Sequence, residues 1–458
     1  MNNKTVYIVH SIDTEGPLYE SLEAKFQRLD EAFNIKLSPS KSLLEKLKNK
    51  KVDLKGKEDV VSTLLSSHLN NYNDTWKKID KMIKSIFSKN FRNSDKDSFG
   101  GNWVFNWHCV DHVGYKYNPR RRTLGYNKIF DYYQNVLKKN KHYKDQIHWH
   151  FHPMSIYNEA HRCATSYVNS PELYQILCRR ILDRNWFPSV NRAGFHTERP
   201  DSNWFLEQWI PFDISNMSIL NNKDIDNSID FKNGRMGDWR RAPKDWSIYH
   251  PDHDDYQKKG KCRRWIGRIL NVMNRIGPIN QKEMDRAFFQ ANNNNPALVG
   301  IASHDFRNLE TEVNYLRDMI KISSKKYPKV KFRYAEAKNA FVELIKFKEK
   351  KRKMEKPIKI KVTFKKKTHL DVPYLTIKCV QGKVFGPQPF LSIKTNKKRY
   401  IHDNFDFSKN KQEWYYAFHG NTLSISDIDE IGIAANDKFG NTHIKRLKFK
   451  GNKIPKEF

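Results

Sequence analysis

The chain has 458 residues with 84 Lys and Arg against 51 Asp and Glu, a formal charge of +33, which admits a nucleic acid, an anionic membrane surface or an acidic substrate as partner. Its 38% hydrophobic and 29% charged residues fit a globular protein of two or three domains, and no apolar run reaches the ~18 residues of a membrane span. Five cysteines, at 109, 163, 178, 262 and 379, are odd in number, scattered and without a C-x-x-C pair, and read as reduced thiols.

Residues 5–12, Thr-Val-Tyr-Ile-Val-His-Ser-Ile, are a β-branched run that ends at Asp13 before Gly16-Pro17 breaks the chain, which predicts a buried first strand. No charged, apolar and cleavage regions stand in series before it, so the expected location is cytoplasmic. From about 18 to 98 the pattern is helical and lysine-rich, with partial 3.6-residue spacing between Val60 and Phe87, and reads as an inserted helical segment or lid. Strand-like runs follow near 102–110, 145–151, 186–193, 298–303 and 330–334, alternating with helical stretches at 128–137, 170–182, 308–322 and 335–347. Such alternation predicts an α/β fold with parallel strands, whose chemistry gathers at the carboxyl ends of the strands. Residues 348–356 form a charged linker. Beyond Pro357 the pattern alternates with period two, at Ile358, Ile360, Val362 and Phe364 and again at Leu375, Ile377 and Cys379, so 357–458 is expected to be a β-sandwich accessory domain, used for packing or carbohydrate contact.

The hexapeptide His148-Trp149-His150-Phe151-His152-Pro153 is where the chemistry is most concentrated. On a strand the three imidazoles share one face while Trp149 and Phe151 pack on the other, a layout suited to a metal. The outer two rings would stand roughly 13 Å apart on a straight strand, too far to share one ion. Two geometries remain: a neighbouring pair chelates from a true strand, or the chain curls at Pro153 and brings His148 and His152 together. At the end of the first strand, Asp13 and Glu15 project from one face, one fit to hold a metal and the other to handle protons. Arg192 in Asn191-Arg192-Ala193-Gly194-Phe195 and His304 at the end of a small-residue strand complete a composite site. The clusters His108-x-x-Asp111-His112 and His250-Pro-Asp-His253-Asp-Asp255 are second choices for metal or substrate. No zinc-finger spacing, RNP-like strand or helix-turn-helix signature accompanies the positive charge.

In this order the pieces resemble the NodB-type polysaccharide deacetylases, carbohydrate esterase family 4, over about residues 5–335: an acidic first motif, an H-x-x-x-H-P second motif at His148 through Pro153, an arginine-led third, an Asp/Trp fourth and a histidine-bearing fifth. The resemblance implies a distorted (β/α) barrel over residues 1–347, followed by the small β-sandwich. It implies Asp13 as catalytic base, Glu15, His148 and His152 as metal ligands, Arg192 as the group that orients the base, and His304 as general acid. Asp238 and Trp239 stand at the fourth motif, as the orienter of His304 and the wall of an acyl pocket; Phe212-Asp213 is a second choice there. His150 is extra to the motif, lining the site or donating to a partner behind the ligands. The first motif departs from the family, Asp-Thr-Glu standing where adjacent aspartates are common.

The implied activity is that of a metal-dependent hydrolase, with zinc the expected ion, removing N-acetyl groups from an amino sugar of a polysaccharide or of its lipid- or nucleotide-linked precursor. The positive charge would suit a phosphorylated carrier. Two other classes stay open: a non-catalytic carbohydrate-binding protein on the same barrel, and a basic nucleic-acid-binding protein whose affinity falls steeply with salt.

Overall fold

The computed structural model describes the whole chain except residues 1–2, 67–71, 113–126, 153–166, 169–170, 227, 233–235, 275, 351–354, 367–371, 411, 450–455 and 458. Seven parallel strands close into a barrel: β1 (Thr5–Thr14), β2 (Phe105–His112), β3 (Gln146–His152), β4 (Val190–Ala193), β5 (Phe212–Asn216), β6 (Trp265–Asn271) and β7 (Ala297–His304), with β7 returning to β1. An eighth strand, β8 (Lys331–Tyr334), pairs with Thr5–Ile8 of β1, on the edge that β2 occupies from His10 to Thr14.

β5 and β6 are the two strands the hydrophobic pattern does not announce, and their burial explains why. Asp213, Ser215 and Arg268 lie fully within the protein: Asp213 accepts from the Asn191 amide, the Ser215 hydroxyl from the Ala193 N–H, and Arg268 forms a bidentate pair with Glu283. Similar buried guanidinium pairs join Arg92 with Asp145, Arg180 with Asp111 and Arg264 with Glu198. Each is paired and hydrogen-bonded, the condition under which charges are tolerated in an interior. The helix Ala337–Lys348 closes the amino-terminal end of the barrel, with Phe341 stacked on Phe212 at 4.8 Å.

The segment expected to be a lid divides into two parts. The helices Leu22–Phe33, Lys41–Lys48 and Glu58–Leu64 bury Phe26, Leu29, Leu47, Val61 and Leu64 in a core of their own. The helix Trp76–Ile86 instead joins the barrel core through Ile79, Met82, Ile83 and Ile86, the spacing of one buried helical face. Beyond the barrel come two antiparallel sheets around a shared core. One has the order β13 (Asp406–Phe407), β14 (Glu413–Ala417), β10 (Tyr374–Gln381), β9 (Lys359–Lys365). The other runs β12 (Tyr400–Asp403), β11 (Phe390–Thr395), β15 (Ile428–Asn436), β16 (Thr442–Lys448), β17 (Lys456–Glu457). This sandwich-like region packs directly on the barrel: Phe390 and Ala434 share a core with Trp209, Phe205 and Ile181, and Asn436 donates to the carbonyls of Pro188 and Trp209. A Cβ on Gly432 would lie 2.5 Å from Ile181, so only glycine allows this approach. No helix among the described residues is long and apolar enough to cross a membrane.

His10, fully buried on β1, carries a pH signature. Its Nδ1 accepts from the Trp103 indole at 3.1 Å, so the hydrogen sits on Nε2 and is donated to Ser303 at 2.7 Å. Burial, with a smaller contribution from Arg92, pulls the ring down to about 3. Above pH 6.5 the ring is neutral folded or unfolded; below it the unfolded chain takes up a proton that the native ring refuses, so stability falls as pH drops from 6.5 toward 3. Denaturant melts across this window are expected to show a loss on the order of a few kcal/mol in the wild type and a flatter profile in His10→Gln; parallel profiles would contradict the assignment.

Candidate metal centre

Register delivers the site. Asp13 is paired with His304 across β1 and β7, and His150 with Arg192 across β3 and β4, so inward side chains from four strands meet at the carboxyl-terminal mouth. β3 stays extended through His152, which selects the strand geometry over the curl; Pro153 itself lies outside the described residues.

Glu15, His150 and His152 are the metal-capable group: one ligand atom from each lies within 4.8 Å of the others, and all three are buried. The Nε2 atoms of His150 and His152 stand 2.7 Å apart, and a Glu15 carboxylate oxygen is 3.9 Å from the first and 3.7 Å from the second. His150 Nδ1 donates to the Arg192 carbonyl at 2.8 Å, which leaves Nε2 as the lone pair facing the cluster. Two imidazoles and a carboxylate suit a divalent ion with an open coordination position, zinc among them. The donor set therefore fits a metal.

His148, expected as a ligand, lies outside the metal-capable group, which includes His150 instead. Two residues back along β3, about 7 Å deeper, His148 Nε2 lies 3.1 Å from Asn106 Oδ1 and 3.2 Å from Glu336. Both partners are acceptors: Asn106 donates its amide hydrogens to the carbonyls of His10 and Ala335, while its oxygen takes the Ala337 N–H. His148 Nε2 is thus a donor to this pair of acceptors. Burial pushes the Glu336 carboxyl up, but the hydrogen bond and charge of His148 outweigh it and hold the group below the usual range. The neighbouring His108 is driven well down by burial and by the charges of His148 and Arg192.

Around the metal-capable group, Asp13 divides its two oxygens. Oδ1 is 2.8 Å from Arg192 Nε, while Oδ2 is 3.7 Å from His150 and 3.8 Å from His304. His304 Nε2 is also 3.8 Å from Glu15, and its side chain, 20% exposed, lies at the open side of the group. Arg192 lies along the His196 ring, with NH1 and NH2 at 3.2 and 3.3 Å from the two ring nitrogens. Burial first, and then the Arg192 charge, keeps that ring well below its ordinary value. Phe195 and His196 both have positive φ, at 52° and 54°, conformations that side chains avoid unless the surroundings impose them. Phe195 lies 4.8 Å from the His152 ring, and a Cβ at Gly194 would fall 2.6 Å from it.

At the fourth motif, Trp239 is buried and its indole donates to the His196 carbonyl at 2.6 Å, placing it behind the site wall. Asp238 turns to Arg240, whose Nε and NH2 each donate to it at 3.0 Å, and it is not the orienter of His304. The second choice, Asp213, faces Asn191 on the outside of the barrel. The other histidine clusters have structural partners: Asp111 is bound by Arg180, His250 bonds the Arg264 carbonyl, and Asp255 is held by Arg241.

Asp305 points outward from β7, and from there its carboxylate accepts the backbone N–H groups of Glu15 at 3.0 Å and Gly16 at 2.9 Å, with the Tyr133 hydroxyl donating at 2.8 Å. It fixes the turn that carries Glu15. Its neighbour His304 carries a signal in the sequence, whereas the role of Asp305 depends on a contact across 290 residues.

Comparison of the chain with protein-family models, with curated proteins and with solved structures finds no match.

Zinc titration against a chelating chromophore separates the two histidine assignments. His150→Ala is expected to abolish stoichiometric uptake while His148→Ala retains it, and the reverse order would contradict the site. Asp305→Ala is expected to weaken affinity about 10- to 100-fold, the usual effect of removing a partner behind a ligand.

Proposed function

We propose that this chain is a metal-dependent amidohydrolase that removes N-acetyl groups from an amino sugar of a polysaccharide or its lipid- or nucleotide-linked precursor. The observation that carries this reading is the meeting of Glu15, His150 and His152 with an arginine-held Asp13 and a rim histidine, His304, at one barrel mouth. Those are the parts amide hydrolysis needs, and their order along the chain is that of the NodB-type deacetylases, with His150 taking the place first given to His148.

Glu15, His150 and His152 would hold the ion, which when bound supplies Lewis acidity to polarise the acetamide carbonyl and ready a water for attack at neutral pH. The protein's own groups do the rest. Arg192 holds Asp13 Oδ1 and so aims Oδ2 at the cluster, where it accepts the proton of the attacking water. His304, 3.8 Å from the same oxygen and open to solvent on one side, delivers a proton to the departing amine. Phe195 lies against the His152 ring, and Trp239 backs His196 from behind the site wall. Acetate and a free amine result.

Acetate release from a panel of N-acetylhexosamine conjugates, with chelator and after zinc is restored, tests the reading. Turnover is expected to vanish on chelation and to return with zinc, and acetate release that ignores chelation would sink it. His304→Ala should retain stoichiometric zinc while turnover falls on the order of 10²- to 10⁴-fold.

A further inference from the structure

The turn that follows β7 carries a cation close to His304. Arg307 stands three residues on, and its backbone N–H bonds the His304 carbonyl at 3.1 Å. Asn73 braces the same turn: its side-chain amide donates to the carbonyls of Asp305 at 3.1 Å and Arg307 at 3.0 Å, and its backbone N–H to the Phe306 carbonyl at 2.8 Å. One ring touches both side chains, since Phe306 lies 4.7 Å from the His304 ring and 5.8 Å from the Arg307 guanidinium. Leu18 and Tyr72 bury that ring at the rim of the barrel, so its position is fixed by packing.

Arg307 differs from the arginines of the barrel wall in having no acceptor. The guanidiniums of Arg92, Arg180, Arg192, Arg264 and Arg268 each meet a carboxylate. Among the described residues Arg307 makes no ion pair, and its Nε–H is buried without a hydrogen-bond partner. The acids beside it in the chain are engaged elsewhere: Asp305 with Glu15, Gly16 and Tyr133, and Glu310 with the Ser85 hydroxyl at 2.7 Å. A buried donor left unfilled is costly, and more so when it is charged. The planar fork of a guanidinium matches two oxygens of a phosphate.

We propose that Arg307 binds a phosphate group of the substrate, so that the sugar presented to the barrel mouth is a phosphate ester. The sugar in this statement rests on the deacetylase reading of the barrel; the anion rests on Arg307. In a 2-acetamido sugar the anomeric oxygen sits on the carbon next to the one that bears the amide. With the amide nitrogen at His304, an anomeric phosphate therefore stands within reach of a cation on the other side of a single aromatic ring. A sugar phosphate, a nucleotide diphosphate and a lipid diphosphate share this chemistry.

The test is titration calorimetry on the full chain freed of zinc, where neither turnover nor phosphate bound to zinc contributes. The probes are inorganic pyrophosphate, N-acetylglucosamine, N-acetylglucosamine 1-phosphate, UDP-N-acetylglucosamine and farnesyl-diphospho-N-acetylglucosamine, the last three separating the sources of the phosphate. The wild type is expected to bind pyrophosphate and at least one phosphorylated sugar about 10- to 100-fold more tightly than the neutral sugar, and Arg307→Gln to lose that advantage. Arg333→Gln, which removes a guanidinium stacked on Phe99 at 4.2 Å on β8, should leave it unchanged. Arg307→Met takes the place of the glutamine variant if that one melts early. The proposal is overturned if phosphate adds no affinity in the wild type, if Arg307→Gln retains the advantage, or if Arg333→Gln loses it equally. No arm reads hydrolysis: phosphate binding that depends on Arg307 in a protein releasing no acetate keeps the anion site and removes the deacetylase reading. Acetate release with binding indifferent to phosphate removes the anion site alone.

Discussion

β1 is hydrogen-bonded along both edges, to β7 on one side and to β8 and then β2 on the other, and this double pairing governs the mouth of the barrel. A strand held on both sides cannot slip by one residue without turning every side chain to the opposite face. Asp13 and Glu15 therefore face inward, and Thr14 outward, where its hydroxyl bonds the His108 carbonyl. The same constraint on β7 separates His304, turned into the barrel, from Asp305, turned out to hold the turn that follows Thr14. Two adjacent residues at the end of one strand thus lie on opposite sides of the site.

The electrostatics of the mouth follow from that placement. Asp13 and Glu15 bring two buried carboxylates together, and one guanidinium, Arg192, is paired with the first of them. Buried charge is costly unless paired. A divalent cation at Glu15, His150 and His152 would add positive charge beside both carboxylates and give the two neighbouring imidazole nitrogens a common target. Deeper in the barrel, His148, Asn106 and Glu336 form a separate layer, bonded to one another and to the backbone of His10, Ala335 and Ala337. The upper layer turns imidazole nitrogens and a carboxylate toward a common space, and the lower one directs a donor at acceptors.

Much of this was legible in the residues. Strand-like runs marked β1, β2, β3, β4, β7 and β8, and Asp13, Glu15, His304 and Arg192 all lie at the strand ends where parallel barrels place chemistry. β5 and β6 were hidden because their buried positions include Asp213, Ser215 and Arg268, which satisfy their charges and hydrogen bonds through partners far along the chain. The choice between His148 and His150 could not be made from spacing, since all three histidines share one face of the strand and only the hydrogen bonds of their second nitrogens distinguish donor from ligand. Asp238 misled for a related reason. An acid beside a tryptophan matches the expected motif, but Arg240 two residues on captures its carboxylate.

The central claim is that one divalent ion is held by Glu15, His150 and His152 at the mouth of the barrel. The most direct measurement is an anomalous-difference map from crystals of the purified protein soaked in zinc. A single strong peak within coordination distance of those three side chains, with Asp13 and His304 facing it, is the predicted result. A peak seated between His148 and Glu336, with the upper cluster empty, would contradict it.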